Sequence, residues 1–254
     1  MTVTVKDILA WLETIAPPGL AEEWDNVGLL VGDADMPVSG VLVSLDPSPA
    51  AVAQAVAMGA QLLISHHPVI FDGRRRLPAK DPAYLLARTG IAAVAAHTNL
   101  DAAAGGVNDV LAARLGLLDV RPAADGVSRV GRLSEPLPPA AFAAYAMDRL
   151  EAPAVQWRAG ERPVETVALC SGAGSSFMPP LLETADAFVT GELKYHEWPA
   201  SSATVVAAGH YHTEIWIAEA LAARLREAFP SLSVETAKES CPYGVMVRRR
   251  ETGE

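Results

Sequence analysis

Cysteine is nearly missing from this 254-residue chain, which holds only Cys170 and Cys241. Two cysteines cannot build the disulfide framework of a small secreted domain, and these two form no metal-ligand pattern. They are expected as reduced, small apolar residues. Positive charge is also in deficit, with 20 lysine and arginine residues against 30 acidic ones. A net charge of -10 offers no general attraction to a phosphate backbone, so no direct nucleic-acid partner is expected. The dense basic runs, Arg74 to Arg76 and Arg248 to Arg250, read as a solvated loop and a polar tail. No uninterrupted apolar run approaches the roughly 20 residues of a membrane span. The opening residues, MTVTVKDILAWLE, carry no cleavage-like signal. The expectation is a cytoplasmic protein that does not enter a membrane.

What is present is the composition of a compact domain: half of the residues are hydrophobic and a fifth are charged. Val5, Ile8, Leu9, Leu12 and Ile15 recur at helical spacing, and Pro17-Pro18 ends that helix. Strands are predicted at 40–46, 61–65 and 91–96, and helices at 48–59, 81–89 and 106–115. That alternation implies a mostly parallel sheet covered on both faces. Turn formers between 117 and 137 place a lobe boundary near 125, giving lobes of residues 1–125 and 126–254. The second lobe is expected to hold strands at 129–133, 164–170, 187–190, 203–208, 232–236 and 244–249. Its helices are expected at 138–150 and 212–228. The fold class is α/β, with two layered lobes.

All six histidines fall at the ends of these elements, where the loops of α/β sheets gather ligands. His66 and His67 end one strand and precede Pro68. Inside a strand, neighbouring side chains point to opposite faces, but at a strand end the backbone turns and each imidazole can approach one ion of a close pair. HTNLD at 97–101 adds His97 and Asp101; Asp101 either ligates or caps the helix beginning near Gly105. His97 is a candidate proton carrier or ligand support. GHYHTE at 209–214 sets His210 and Glu214 one helical turn apart, so that both can meet a metal pair, with Glu214 able to bridge. His212 points away from that face. TGELKYHE at 190–197 offers Lys194 for an anionic substrate and His196 for proton transfer, or else a well-capped polar turn. CSGAGSS at 170–176 is either an anion-cradling glycine loop or a sharp turn. In WDN at 24–26, Trp24 reads as a core plug or a binding platform, and Asp25 and Asn26 as caps or pocket residues. Asp46 is either a carboxylate supporting a ligand or a helix cap.

WDNVGLLVG, ISHHPVIF, HTNLD, SGAGS, TGELKYHE and GHYHTE, in this order, resemble the NGG-interacting-factor-three-like family, also known as GTP cyclohydrolase I type 2 homologues or dinuclear-metal-centre hexameric proteins. The likeness runs from about residue 5 to residue 249. It implies that His66, His67, Asp101, His210 and Glu214 are the ligands of a two-metal centre, and their imidazole and carboxylate donors suit divalent zinc, manganese or iron. It also implies two interlinked α/β lobes sharing the site, with the second contributing His210 and Glu214, and a homo-hexamer. Glu192 stands where aspartate is frequent in the family, and His212 is an addition; neither touches a proposed ligand. The expected function is metal-dependent hydrolysis of a nucleotide or phosphorylated small molecule, with His97, Lys194 and His196 as candidate catalytic residues. The alternative is a non-catalytic metal-binding or metallochaperone-like scaffold.

Overall fold

The structure, a computed structural model, describes residues 2–247. Its strands, in chain order, are β1 (Gly28–Val31), β2 (Gly40–Ser44), β3 (Leu62–Ser65), β4 (Ala92–Ala95), β5 (Leu118–Pro122), β6 (Arg129–Leu137), β7 (Gln156–Arg158), β8 (Val164–Cys170), β9 (Ala187–Thr190), β10 (Thr204–Ala207) and β11 (Ser233–Thr236). They form two sheets, ordered β1-β4-β3-β2-β11 and β5-β6-β8-β9-β10-β7.

The first sheet is parallel from β4 through β3 and β2 to β11, and β1 closes its edge antiparallel to β4. Its strands are short apolar runs because both faces are covered. Leu42, Leu63 and Ala93 pack with Val52, Ala55 and Leu86 on one side. The alternate residues Val41, Val43, Leu62 and Ile64 are equally buried. The connecting helices begin and end on local signals. Ser48 caps Pro49–Met58 and Asp81 caps Pro82–Thr89, each followed by proline, and Gly59 and Gly90 end them in the left-handed conformation.

The second sheet is mixed. β8, β9 and β10 run parallel, flanked by antiparallel β6, β5 and β7. Strand alternation divides its residues between two cores. Val167, Leu169, Val189 and Val206 pack with Phe142 on one face, and Ala168, Cys170, Phe188 and Val205 pack with Met178 on the other. Cys170 is buried and in no disulfide, as expected for a small hydrophobe.

The chain divides into two compact units. One comprises the stretch up to Val110 together with Glu214–Glu239, and the other comprises Leu111–Thr213 and the stretch from Ser240. The division at residue 125 gives way to this one for two reasons. The turn formers there close a hairpin instead of a linker: Asp125 Oδ1 accepts from the amides of Val127 and Ser128 at 2.8 and 2.7 Å, and β5 pairs with β6 across the turn. Late in the chain, β11 pairs in parallel with β2, so Glu214 and the helix Trp216–Ala228 belong with the first sheet. The helix expected over 212–228 is broken into His210–Glu214 and Trp216–Ala228. Of the strand expected over 244–249, residues 244–247 are irregular; 248 and 249, like the basic run Arg248 to Arg250, lie outside the described residues. Among the described residues no helix is long and apolar enough to cross a membrane.

Candidate metal centre

The first sheet aims its histidines by simple continuation of its ladders. Beyond β3, the amides of His66 and His67 donate to Ser44 O at 3.1 Å and Leu45 O at 3.0 Å, so both residues are still held in register with β2. Ser65 Oγ donates to His67 O at 2.7 Å and shapes the turn before Pro68. Beyond β4, the chain turns at His97, whose amide donates to Asn99 Oδ1 at 2.9 Å, and enters the short helix Thr98–Ala102 that carries Asp101. Gly106 ends this passage where no side chain fits, since a Cβ there would lie 1.8 Å from Leu100 O. The ring centroids of His66 lie 5.0 Å from those of His67 and 5.1 Å from those of His97.

His66 carries the clearest sign of a cation site. Its Nδ1 lies 2.9 Å from Ala96 O. A carbonyl can only accept, so Nδ1 bears the proton and Nε2 presents a lone pair. That Nε2 is buried and has no hydrogen-bond partner. It points between Asp101 Oδ1 at 3.7 Å and Glu214 Oε2 at 3.9 Å. Burial pushes the His66 pKa down to about 3, against the opposing charge of Glu214, so the ring is neutral at physiological pH. A neutral imidazole lone pair facing two carboxylates is unfavourable unless a cation joins them.

His67 is held at both nitrogens: Nδ1 lies 2.7 Å from Asp46 Oδ1 and Nε2 lies 3.1 Å from Glu214 Oε2. Burial alone lowers its pKa, but the hydrogen bonds with Asp46 and Glu214, and their charges, raise it to about 10. Asp46 therefore holds the His67 ring, and the helix cap is Ser48. Glu239 fixes Asp46 in turn, accepting from the amides of Leu45 at 2.7 Å and Asp46 at 3.0 Å. Ahead of the following helix Gly105 N donates to Asp109 Oδ2 at 2.6 Å, while Asp101 Oδ1 faces His66 Nε2 at 3.7 Å.

His97 is oriented by Asp25, whose Oδ1 meets His97 Nδ1 at 2.8 Å and whose Oδ2 accepts from Thr98 N at 3.0 Å. Burial works against the Asp25 charge, but the hydrogen bonds from Thr98 and His97 outweigh it and hold the carboxyl below its usual range. His97 thus keeps Nε2 for ligation or proton transfer. Within this unit two overlapping groups have ligand atoms within 4.8 Å of one another: His66, His67 and His97, and His66, Asp101 and Glu214. Imidazole nitrogens and carboxylate oxygens without thiolate fit a divalent first-row ion, and the clusters can coordinate one or more of them.

The remaining candidates lie in the second unit, apart from Glu214 itself. His210 opens the helix that ends at Glu214, one turn away, and its Nδ1 meets Glu192 Oε1 at 3.2 Å. Lys194 extends into solvent, its Nζ 3.9 Å from Glu197 Oε1, and the exposed His196 follows in the turn Tyr195–Glu197. The glycine loop at 170–176 is committed to the fold. Gly172 N donates to Thr213 Oγ1 at 3.1 Å, and Gly172 O accepts from the amides of Gly191 and Glu192, both at 3.0 Å. Burial lowers the His212 pKa.

Comparison with known proteins agrees with this geometry. The family described as Duf34/NIF3 (NGG1p interacting factor 3) matches residues 3–242. A GTP cyclohydrolase 1 type 2 homolog of Streptomyces coelicolor is 36% identical over 246 residues, covering 88% of this chain and 86% of that protein. One from Lactococcus lactis is 35% identical over 203 residues, covering 76% and 79%. Among solved structures, a Staphylococcus aureus hypothetical protein superposes with a TM-score of 0.90 at 26% identity, covering 97% of this chain and 100% of that one. Reduced HcgD from Methanocaldococcus jannaschii superposes with a TM-score of 0.79 at 28% identity, covering 93% and 98%.

Proposed function

The chain belongs to the Duf34/NIF3 family, and from that premise we propose that it is a metal-dependent hydrolase with a two-ion centre, acting on a nucleotide or phosphorylated small molecule. The observation that carries the proposal is the buried His66 Nε2, without a hydrogen-bond partner and facing Asp101 and Glu214. His66, His67, Asp101, His210 and Glu214 are the proposed ligands. Glu214 is the proposed bridge, because its Oε2 already approaches both His66 and His67. A pair of such ions supplies Lewis acidity and lowers the pKa of water.

The protein's own groups provide the rest. Asp46, its backbone fixed by Glu239, holds the His67 ring, Asp25 holds the His97 ring, and His97 Nε2 carries the proton. Lys194, extended into solvent, meets an anionic substrate, and His196 beside it moves a second proton. The name of the curated relatives favours a purine nucleotide as the first substrate to try. Zinc-, manganese- and iron-loaded protein should be incubated with GTP and simple phosphoesters, and the products identified by mass. His67→Ala is expected to lower turnover by more than about 100-fold, since removing even an outer partner of a ligand costs about 10–100-fold. Unchanged turnover in that variant defeats the proposal. Tight metal uptake with no product from any substrate favours a metal-binding scaffold instead.

The proposed assembly is a homo-hexamer, supported by the family resemblance and by the preference of oligomers for closed symmetry. Light scattering at micromolar concentration should give six times the chain mass; a monomer mass at all salt concentrations rules it out.

A further inference from the structure

Two side chains beside the cluster have no part in that chemistry. Trp24 is 60% exposed and Phe71 45% exposed, so neither is a core plug. Their ring centroids lie 5.7 Å apart with planes inclined by 55°. Both meet the His97 ring edge-on, Trp24 at 6.4 Å and 74° and Phe71 at 6.2 Å and 80°. An indole and a phenyl ring thus continue outward from one imidazole of the metal cluster.

The backbone beneath them is pinned. Asp25, next to Trp24, is bound to His97 and Thr98. Asn26 Nδ2 donates to Ile70 O at 2.6 Å and so ties the Trp24 loop to the residue before Phe71. A fixed backbone that displays two large aromatic rings to water is unusual, because such surface is normally buried. The surroundings do not suit a protein partner: Glu22, Glu23, Asp72, Arg75 and Arg76 are all exposed on the same two loops. A stable protein interface needs an apolar centre within about 1,000 Å² or more, and two rings within a charged rim fall well short of that. One planar ring system can stack on the indole face while its edge meets the inclined phenyl ring.

We propose that Trp24 and Phe71 form the stacking site for a planar heteroaromatic ring of the ligand, holding that ring against the His97 side of the metal cluster. This rests on the reading of the cluster as the reaction centre. Trp24 and Phe71 then set specificity, while the ions and their ligands act on the bond to be broken.

The test compares guanosine 5′-monophosphate with ribose 5-phosphate as ligands of the full-length, metal-loaded protein. Both carry the same phosphate, so any contact between phosphate and ions enters both affinities. Stacking predicts that Trp24→Ala weakens the nucleotide about ten-fold or more, that Trp24→Phe retains most of the affinity, and that ribose 5-phosphate binds all three proteins alike. Phe71→Ala should weaken the nucleotide selectively as well. Equal binding of the two ligands by the wild-type protein, or an unchanged nucleotide affinity in Trp24→Ala, overturns the stacking site. So does a Trp24→Ala variant that loses assembly mass in light scattering but binds nucleotide normally, since the rings would then cover a second copy. Metal content measured on the same samples separates the two readings. Wild-type protein that takes up no ion overturns both; fully loaded protein indifferent to the base overturns only this one.

Discussion

His66→Ala is expected to abolish stable metal uptake at the cluster. His66 belongs to both ligand groups of its unit, one with His67 and His97 and one with Asp101 and Glu214. Its Nε2 is buried and has no hydrogen-bond partner. Removal leaves two carboxylates facing a void and takes from the cluster an imidazole whose open nitrogen faces both of them. Elemental analysis should show the loss, and thermal denaturation should show it independently. A ligand that binds only the folded state stabilises it in proportion to the logarithm of its concentration, so added metal should raise the Tm of the wild type and not of the variant. Leaving the buried Ala96 carbonyl without its donor costs the metal-free fold about 1–3 kcal/mol, within the stability of an ordinary domain, so circular dichroism should find the variant folded. Asp46→Asn provides the graded control. It keeps every proposed ligand but loosens the His67 ring, and should weaken metal binding by about 10–100-fold. A His66→Ala protein that holds metal as tightly as the wild type would falsify the site.

The parts of the centre visible in the sequence are those whose chemistry is local. His66-His67 lies beyond an apolar strand, and HTNLD beyond another, so a strand-end cluster follows from the pattern of β3 and β4 alone. The His210 to Glu214 spacing is one helical turn and the structure forms that helix. The ambiguity of Asp46 is resolved by a competitor for the capping role, Ser48, two residues further on. That competitor stands in the sequence, where serine followed by proline marks a helix start. Glu239 carries no such signal, because its partners Leu45 and Asp46 are 194 and 193 positions away and no local pattern marks it.

The division of the chain is the other feature hidden from a linear reading. Polar turn residues around Asp125 look the same whether they link two lobes or close a hairpin, and only the pairing of β5 with β6 separates the cases. The return of the chain to the first sheet at β11 depends on parallel pairing with β2, nearly 200 residues earlier, which strand-by-strand periodicity does not encode. Trp24 fell between two meanings for a related reason. An isolated tryptophan is usually buried, and its exposure beside Phe71 comes from the meeting of two loops through Asn26 and Ile70.

Metal affinity should rise steeply with pH, by about 100-fold between pH 6 and pH 8. In the metal-free protein the His67 pKa is raised from 6.5 to about 10, so the ring is protonated across that range, a charge shared with Asp46 and Glu214. A raised pKa in the folded state means that this proton stabilises the metal-free fold fully below about pH 6.5. That contribution fades as pH climbs towards 10. A metal ligand must be deprotonated, so an ion binding at His67 Nε2 has to displace one proton. One proton released per ion bound changes the apparent constant about ten-fold per pH unit. His66 adds nothing to this slope, since burial holds its pKa near about 3 and its Nε2 carries no proton to displace. The two adjacent histidines therefore differ in kind: one is ready to ligate, and the other exchanges a proton for a metal. Calorimetric titration of the metal-free protein in buffers of different ionisation enthalpy counts the released protons directly. About one proton per ion at His67 at pH 7 is the expected result, falling towards zero in His67→Ala for whatever metal it still binds. Affinity that stays flat from pH 6 to pH 8 in the wild type would remove His67 from the ligand set.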